Sequence, residues 1–150
     1  MDYKKLKKIR KETGISISLC KKALEKTNDI QKAKKLLSKW GAKTVVDKVS
    51  RSTSQGAIFC YVHHNKKVVG LLELLCETDF VAKNLEFEKL GQELAMQIAT
   101  NAPLKESKLL SQEYIRDPAK KVSDLIKESI LKFGENIKIG RFLKWELGEK

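Results

Sequence analysis

Cysteine is scarce in this sequence, and the spacing of its three copies matches no metal-binding or redox motif. Cys20, Cys60 and Cys76 lie far apart and form no Cys-x-x-Cys pair, so neither a zinc site nor a redox motif is indicated. The sequence begins Met-Asp-Tyr-Lys-Lys without an apolar leader. An odd number of cysteines in such a chain favours reduced thiols, and we therefore expect a cytoplasmic protein.

Membrane spans and catalytic motifs are absent as well. No apolar run approaches the roughly 18 residues that a membrane-spanning helix needs, so we expect no membrane partner. The sequence has no glycine-rich phosphate loop, no Gly-x-Ser-x-Gly and no His-Glu-x-x-His. His63 and His64 are adjacent, and in a strand they would point to opposite faces, where they cannot share a metal ion. We predict a protein that is not an enzyme and binds no metal or cofactor.

Acidic residues are too few to balance the basic ones. The net charge is +12 and the isoelectric point is about 9.6. Residues 1–50 contain fifteen Lys or Arg and five Asp or Glu, whereas residues 51–150 contain sixteen and fourteen. Such a basic region favours a nucleic acid or an acidic protein surface as partner. Aromatic residues do not alternate with the lysines, so stacking on single-stranded nucleic acid is poorly supported.

The first 41 residues are predicted to form a small domain of three amphipathic helices. Residues 42–55 have no sustained apolar period and end in a cluster of Ser, Thr, Gln and Gly. They are predicted to be a linker, for which a helical start is left open. The predicted helices are 3–13 after a capping Asp2, 17–26 after a capping Ser16, and a third from the capping-box pattern of Asn28 and Gln31 to a stop at Gly41.

Residues 56–150 are predicted to form an α+β domain with a three-stranded antiparallel sheet covered by helices. The second strand is almost entirely apolar, so we expect it to be central and covered on both faces. The segment 104–118 is predicted to be irregular. The predicted strands are 57–63, 68–76 and 137–147, and the helices are 85–99 and one from Pro118 to 133. The last strand alternates, which places Ile137, Ile139, Leu143, Trp145 and Leu147 on one face.

The second strand ends in the run Glu77-Thr78-Asp79-Phe80, where a turn is predicted. Asp and Thr suit turns and helix starts, and they are poor residues for extending a buried strand. An aromatic residue at the tip of such a turn has few neighbours, which makes Phe80 a candidate for insertion into a partner. Most phenylalanines are core residues. From these residues alone we favour a Phe80 that folds back under the following helix.

Three blocks of sequence, in order from the start to the end of the chain, point to one family. They are 4–14 with 20–25; 70–73 with 76–84 and Phe87; and 134–137 with Arg141, Phe142, Glu146 and Leu147. Together they resemble the elongation factor Ts family, whose amino-terminal domain is similar to a ubiquitin-associated three-helix domain. Because the blocks cover nearly the whole chain, we regard the resemblance as specific.

The resemblance implies a guanine-nucleotide exchange factor for elongation factor Tu. The residues Thr78, Asp79, Phe80 and Val81 match the family's loop that reaches the partner's nucleotide site and displaces its magnesium ion. On the amino-terminal domain, Ile17 and Lys21 match positions expected to contact the partner. The magnesium belongs to the partner, so the resemblance implies no metal and no cofactor in this chain. With Phe80 on that loop, insertion into the partner becomes the favoured interpretation.

Departures from the family pattern leave alternatives open. Ser16, Ser18 and Leu19 differ from the usual run, and the segment 101–117 is shorter than in most members. A homodimer through open sheet edges is left open. Two other functions are weighed against exchange. One is a nucleic-acid-binding module, favoured by the charge of residues 1–50, although we expect no specific nucleic acid as partner. The other is a ubiquitin-type binding domain, which is disfavoured because small folds serve many partners.

Overall fold

The computed structural model describes residues 1–149. An N-terminal module of three helices is followed by a module that combines helices with a three-stranded antiparallel sheet. The predicted α+β fold is confirmed. In chain order the elements are α1 (Tyr3–Thr13), α2 (Ile17–Thr27), α3 (Ile30–Lys48), β1 (Gln55–Val62), β2 (Val68–Cys76), α4 (Asp79–Ala82), α5 (Leu85–Thr100), α6 (Glu106–Ser111), β3 (Glu113–Tyr114), β4 (Asp117–Lys121), α7 (Val122–Phe133) and β5 (Lys138–Glu146).

Two helices of the N-terminal module are capped at their N-termini by carboxylates. Asp2 accepts hydrogen bonds from the amides of Lys4 and Lys5, so α1 begins where it was predicted to begin. The predicted capping box at Asn28 is wrong. Asn28 has a φ of 50° and ends α2, whereas an N-cap residue needs extended backbone. Asp29 caps α3 instead, by accepting from the amide of Lys32 at 2.8 Å.

The helix α3 does not end at Gly41, as predicted, but continues to Lys48. Glycine ends a helix where the chain enters left-handed backbone, and Gly41 lies within the helix instead. Its lack of a Cβ lets α3 approach the side chain of Leu131 in α7. Farther along, Val45 is buried in the core of the second module. The start of the predicted linker is therefore helical, and the division into two domains and a linker stays a prediction.

The sheet has the order β1-β2-β5, so β2 is central as predicted. The helix α5 packs on one face, where Phe87, Leu94 and Ile98 are fully buried. The prediction that β2 is covered on both faces is wrong within residues 1–149. The face opposite α5 exposes apolar side chains, including Ile58 and Trp145. A single layer of helices covers one side of a sheet, and the apolar character of β2 did not reveal which side stays open.

A bulge in β5 overturns the predicted face of the last strand. Leu72 pairs with Phe142, and Leu74 pairs with Ile139, so two residues of β5 lie opposite one residue of β2. An extra residue reverses the alternation beyond it. Ile137 and Ile139 are therefore buried, whereas the other three predicted residues, Leu143, Trp145 and Leu147, are exposed.

The segment predicted to be irregular contains α6 and the short hairpin of β3 and β4. Pro118 lies in β4 and does not open the last helix, which begins four residues later at Val122. A proline fits a two-stranded ribbon when its missing N–H is not needed for pairing. The helix begins instead where the carboxylate of Asp124 accepts a hydrogen bond from the amide of Lys121 at 2.9 Å.

Candidate partner interface

The turn after β2 forms a helix of a single turn, α4. Thr78 precedes it in extended backbone, and its hydroxyl oxygen accepts a hydrogen bond from the amide of Val81 at 3.4 Å. The carbonyl of Thr78 accepts from the amide of Ala82 at 3.2 Å. Thr78 thus acts as the N-cap that the sequence favours at this position. The turn brings all four predicted loop residues, Thr78 to Val81, together at one end of the sheet.

The side chains of α4 point in two directions. Phe80 is 84% exposed, whereas Val81 and Ala82 are half-buried and pack against the main hydrophobic core. The expectation from residues alone, a Phe80 folded back under the next helix, is wrong. The inward positions are already filled by Val81 and Ala82, so the aromatic ring remains outside. Asp79 forms an ion pair with Lys83 at 3.6 Å, and both side chains are exposed.

The backbone that leads into α4 is bound by a carboxylate from a distant part of the chain. Glu135 follows the end of α7 and accepts three hydrogen bonds. Its Oε1 accepts from the amides of Glu77 and Thr78 at 3.2 and 3.0 Å, and its Oε2 accepts from the hydroxyl of Thr78 at 2.7 Å. Hydrogen bonds to a charged acceptor are stronger than those between neutral groups. The start of α4 is therefore fixed relative to α7.

Glu77, in the turn after β2, in turn accepts a hydrogen bond from the segment that carries Glu135. Its Oε1 accepts from the amide of Asn136 at 2.7 Å and forms an ion pair with Arg51 at 3.6 Å. The buried amide group of Asn136 donates to the carbonyls of Val49 and Arg51 at 3.3 and 2.9 Å. The segment after α3, the turn after β2 and the segment after α7 are thus joined by one set of hydrogen bonds.

The thiol of Cys76 lies beneath the turn. It is fully buried and donates to the carbonyl of Thr78 at 3.1 Å. Burial raises the pKa of this thiol, and the negative charge of Glu135 raises it further. The thiol therefore stays protonated near neutral pH and can keep donating this hydrogen bond.

Ile17 and Lys21, the two predicted contact residues of the N-terminal module, lie on α2. They are one helical turn apart, so they share a face of the helix. Ile17 is 48% exposed, and Lys21 forms an exposed ion pair with Glu25 at 3.9 Å. The buried face of α2 carries Cys20 and Ala23 instead. Ile17 and Lys21 belong to a different module from Phe80, and each set presents an exposed apolar side chain beside a charge.

The two adjacent histidines do not behave as predicted. β1 ends at Val62, so His63 and His64 lie in the connection to β2 rather than in a strand. The centroids of their rings are 4.1 Å apart and the ring planes are tilted by 51°, so the two side chains lie against each other instead of pointing to opposite faces. Nδ1 of His63 is within hydrogen-bond distance, 2.9 Å, of the hydroxyl of Tyr61. In the part of the chain that the structure describes, no cluster of three or more His, Cys, Asp or Glu could hold a metal ion.

Two family profiles match different parts of the chain. The family profile described as "Elongation factor Ts, mitochondrial, N-terminal" matches residues 1–44, and "Elongation factor TS" matches residues 77–150. Elongation factor Ts of Thermotoga maritima is 38% identical, and the match covers 96% of this chain and 94% of that protein. Elongation factor Ts of Thermosipho melanesiensis is 37% identical, with coverage of 97% and 98%.

The chain belongs to the elongation factor Ts family.

It is therefore a member of a family of translation elongation factors, and the resemblance seen in the three blocks is confirmed. The comparisons name no enzymatic activity. Members of this family differ in length. The elongation factor Ts of Aquifex aeolicus is 41% identical over 147 residues, which cover 94% of this chain but 51% of that protein. Among residues 1–149, no helix is long and apolar enough to cross a membrane.

Sequence reasoning missed the residues that fix the turn from Thr78 to Val81. Glu135 is 57 residues from Thr78 along the chain, and no local pattern connects them. In the sequence, Glu77 lies at the end of a predicted strand and Glu135 lies in one of the family blocks, and neither pattern assigns a role to the residue. An available signal is the position of the two carboxylates, because each lies within two residues of the end of a predicted strand or helix, and backbone amides beyond such an end need another acceptor.

Proposed function

We propose that this chain binds elongation factor Tu and promotes release of its guanine nucleotide. One observation carries the proposal: Phe80 is exposed at the tip of a turn whose backbone is fixed by hydrogen bonds. An exposed aromatic side chain on a fixed backbone is typical of an interface residue that contributes much of the binding energy. Membership in the elongation factor Ts family supports this partner.

The proposed mechanism depends on differential affinity. If this chain binds the nucleotide-free partner more tightly than the nucleotide-bound one, it weakens nucleotide binding by the same factor. Phe80 inserts between elements of the partner beside its nucleotide site, and the displaced elements release the partner's magnesium ion. Thr78 and Val81 fix the backbone on either side. The exposed Asp79–Lys83 pair is worth at most about 1 kcal/mol, so Asp79 can exchange Lys83 for a partner group at little cost.

The N-terminal module supplies a second contact in this proposal. Ile17 and Lys21 share the exposed face of α2, where an apolar side chain lies beside a positive charge. A partner surface with an apolar groove and an acidic rim fits this pair. Two separate contacts restrict how the partner can bind, which would direct Phe80 to the same place in each complex. Because the partner acts in translation, we expect the pair to meet in the cytoplasm.

A release assay with a fluorescent GDP analogue on elongation factor Tu tests the proposal. The wild-type chain accelerates release. Phe80→Ala loses about 1–3 kcal/mol of coupling, or roughly a 5- to 150-fold effect. Leu104→Ala is the matched control, because Leu104 is another large, exposed apolar residue but lies outside both contact sets. No acceleration by the wild type, or equal acceleration by Phe80→Ala, refutes the proposal.

We also propose that the chain forms a homodimer through the open side of the sheet. β1 and β5 are the edge strands, and the face opposite α5 exposes Ile58, Leu143 and Trp145. An isologous dimer would cover such a surface with its own copy. Light scattering across a range of concentrations tests this, with Trp145→Glu as the disrupting variant. A wild type that remains monomeric at high micromolar concentration contradicts it.

A further inference from the structure

We propose that Glu135 is a positioning residue for exchange, and that it acts entirely through Phe80. The inference rests on the proposed function and extends it to a residue in another part of the fold. Three observations support it. They concern the donors that Glu135 satisfies, the way Thr78 is fixed, and the lack of other contacts that could place Phe80.

The first observation is that Glu135 binds amides that the sheet leaves unpaired. The pairing of β1 with β2 ends at Gln55 and Cys76, and the pairing of β2 with β5 ends at Leu75 and Lys138. The amides of Glu77 and Thr78 lie beyond both. One carboxylate oxygen accepts from the two together. Removing it would leave two backbone donors to find water or to move.

The second observation is that every polar group of Thr78 has a partner. Its amide and hydroxyl donate to Glu135, its hydroxyl oxygen accepts from Val81, and its carbonyl accepts from Cys76 and Ala82. The hydroxyl proton is committed to Glu135 at 2.7 Å, which leaves the oxygen's lone pairs for the amide of Val81. Glu135 therefore sets the orientation of the capping hydroxyl that starts α4.

The third observation is that Phe80 has little else to place it. Its side chain is 84% exposed, so its position follows from the backbone of α4. That backbone begins at Thr78. Glu135 is placed by the end of α7, where Gly134 has a φ of 72° and its carbonyl accepts from Nζ of Lys48 at 2.6 Å. The position of Phe80 therefore depends on α7 and on the end of α3 as well as on β2, the strand that precedes it.

The geometry predicts how the variants differ. Glu135→Ala removes both acceptor oxygens and with them all three hydrogen bonds, so α4 can rotate and Phe80 misses its site in the partner. A displacement of about 1 Å in a positioned group can cost on the order of 100-fold in rate, and we expect a loss of roughly tenfold or more in GDP release. Glu135→Gln keeps one carbonyl oxygen for the two amides and loses the acceptor for the Thr78 hydroxyl. It should fall between Glu135→Ala and the wild type.

A double-mutant cycle separates positioning from general support of the fold. If Glu135 acts through Phe80, then Glu135→Ala lowers GDP release in the wild-type background and has no further effect in the Phe80→Ala background. Additive losses overturn the inference. So does unchanged release by both Glu135→Ala and Glu135→Gln. The matched control is Glu93→Ala, because Glu93 also joins distant segments, accepting from Tyr114 and Arg116, but lies away from the turn. We expect it to leave release unchanged.

Amide hydrogen exchange measured by NMR gives a readout that does not depend on elongation factor Tu. Glu135→Ala should raise exchange at the amides of Glu77 and Thr78 by about tenfold or more relative to the wild type, while the amides of β2 stay protected. Unchanged protection at both amides overturns the inference even if the variant accelerates GDP release less than the wild type does. A wild type that does not accelerate GDP release refutes the proposed function instead, and the positioning role with it, whatever the amides show.

Discussion

Gly41 in α3 lies directly against the side chain of Leu131 in α7. A Cβ at Gly41 would overlap the methyl groups of Leu131, so the contact depends on glycine. Val45 continues the contact one turn later as a buried core residue, and Lys48 donates to the carbonyl of Gly134 at 2.6 Å. The last two turns of α3 therefore pack against the second module of the molecule.

Gly41→Leu should destabilise the protein by about 1–3 kcal/mol, because a large side chain is forced into a filled contact. Helix propensity works in the opposite direction, since leucine is better than glycine in a helix by nearly 1 kcal/mol. A net loss would therefore mean that the overlap is the larger effect. The free energy of unfolding, from urea denaturation followed by tryptophan fluorescence, measures the balance.

Leu131→Ala provides the control for this prediction. In the Gly41→Leu background it makes room for the new side chain, so the double variant should be more stable than the sum of the single losses predicts. An equal or higher urea midpoint for Gly41→Leu alone would show that α3 and α7 do not meet as described.

The helices and strands whose bounds were predicted correctly are those whose ends are marked by their own residues. α1 and β2 have the predicted bounds because a capping carboxylate, a glycine and an apolar run mark their ends locally. The failures at Gly41 and in β5 have a different cause. Whether Gly41 ends a helix depends on Leu131, 90 residues away, and the bulge depends on the pairing with β2. Neither contact can be recognised from the sequence of the helix or strand that it affects.

Some features of the candidate site could likewise be predicted from the local sequence, and others could not. The turn from Thr78 to Val81 could be placed because Thr and Asp favour a helix start after a strand. The exposure of Phe80 could not be derived from those residues, since Val81 and Ala82 compete for the same inward positions. Only the family resemblance favoured an exposed Phe80. The role of Glu135 was invisible to both, because it depends on where α7 ends in space.

Gly70 in the central strand β2 and Gly140 in the edge strand β5 form a second pair of matched substitutions. A Cβ at Gly70 would overlap backbone atoms of Ala95 and Ala99 in α5. Backbone cannot move aside as a side chain can, so Gly70→Ala should cost about 1–3 kcal/mol. At Gly140 the nearest atoms are side-chain atoms of Glu73 and Leu75 at 3.2 and 3.3 Å, and Gly140→Ala should cost less than about 1 kcal/mol.

Urea denaturation of both variants measures this difference, and the comparison between them cancels the general effect of replacing glycine by alanine in a strand. If Gly70→Ala proves as stable as Gly140→Ala, then α5 does not lie as close to β2 as the structure places it. Far-ultraviolet circular dichroism at the start of each titration checks that both variants retain native secondary structure.

Tyr114 joins the β3–β4 hairpin to α5 through a set of polar contacts. Its buried hydroxyl donates to Glu93 at 2.8 Å. Beside it, the buried amide of Gln97 donates to Gln112 and to the carbonyl of Glu113, each at 3.1 Å, and accepts from the amide of Ile115. Burial, together with the carboxylate of Glu93, raises the pKa of Tyr114 to about 12. This contact is therefore expected to weaken at alkaline pH.

Tyr114→Phe tests that expectation through the sign of its pH dependence. Between pH 10 and 12 the unfolded chain loses the phenolic proton while the folded chain keeps it, so the wild type loses stability as the pH rises. At pH 7 the variant should be about 1 kcal/mol less stable, because it lacks one hydrogen bond. The gap should shrink or reverse by pH 12, since the variant has no proton to lose. Parallel stability curves for the two proteins from pH 9 to 12 would contradict a raised pKa at Tyr114.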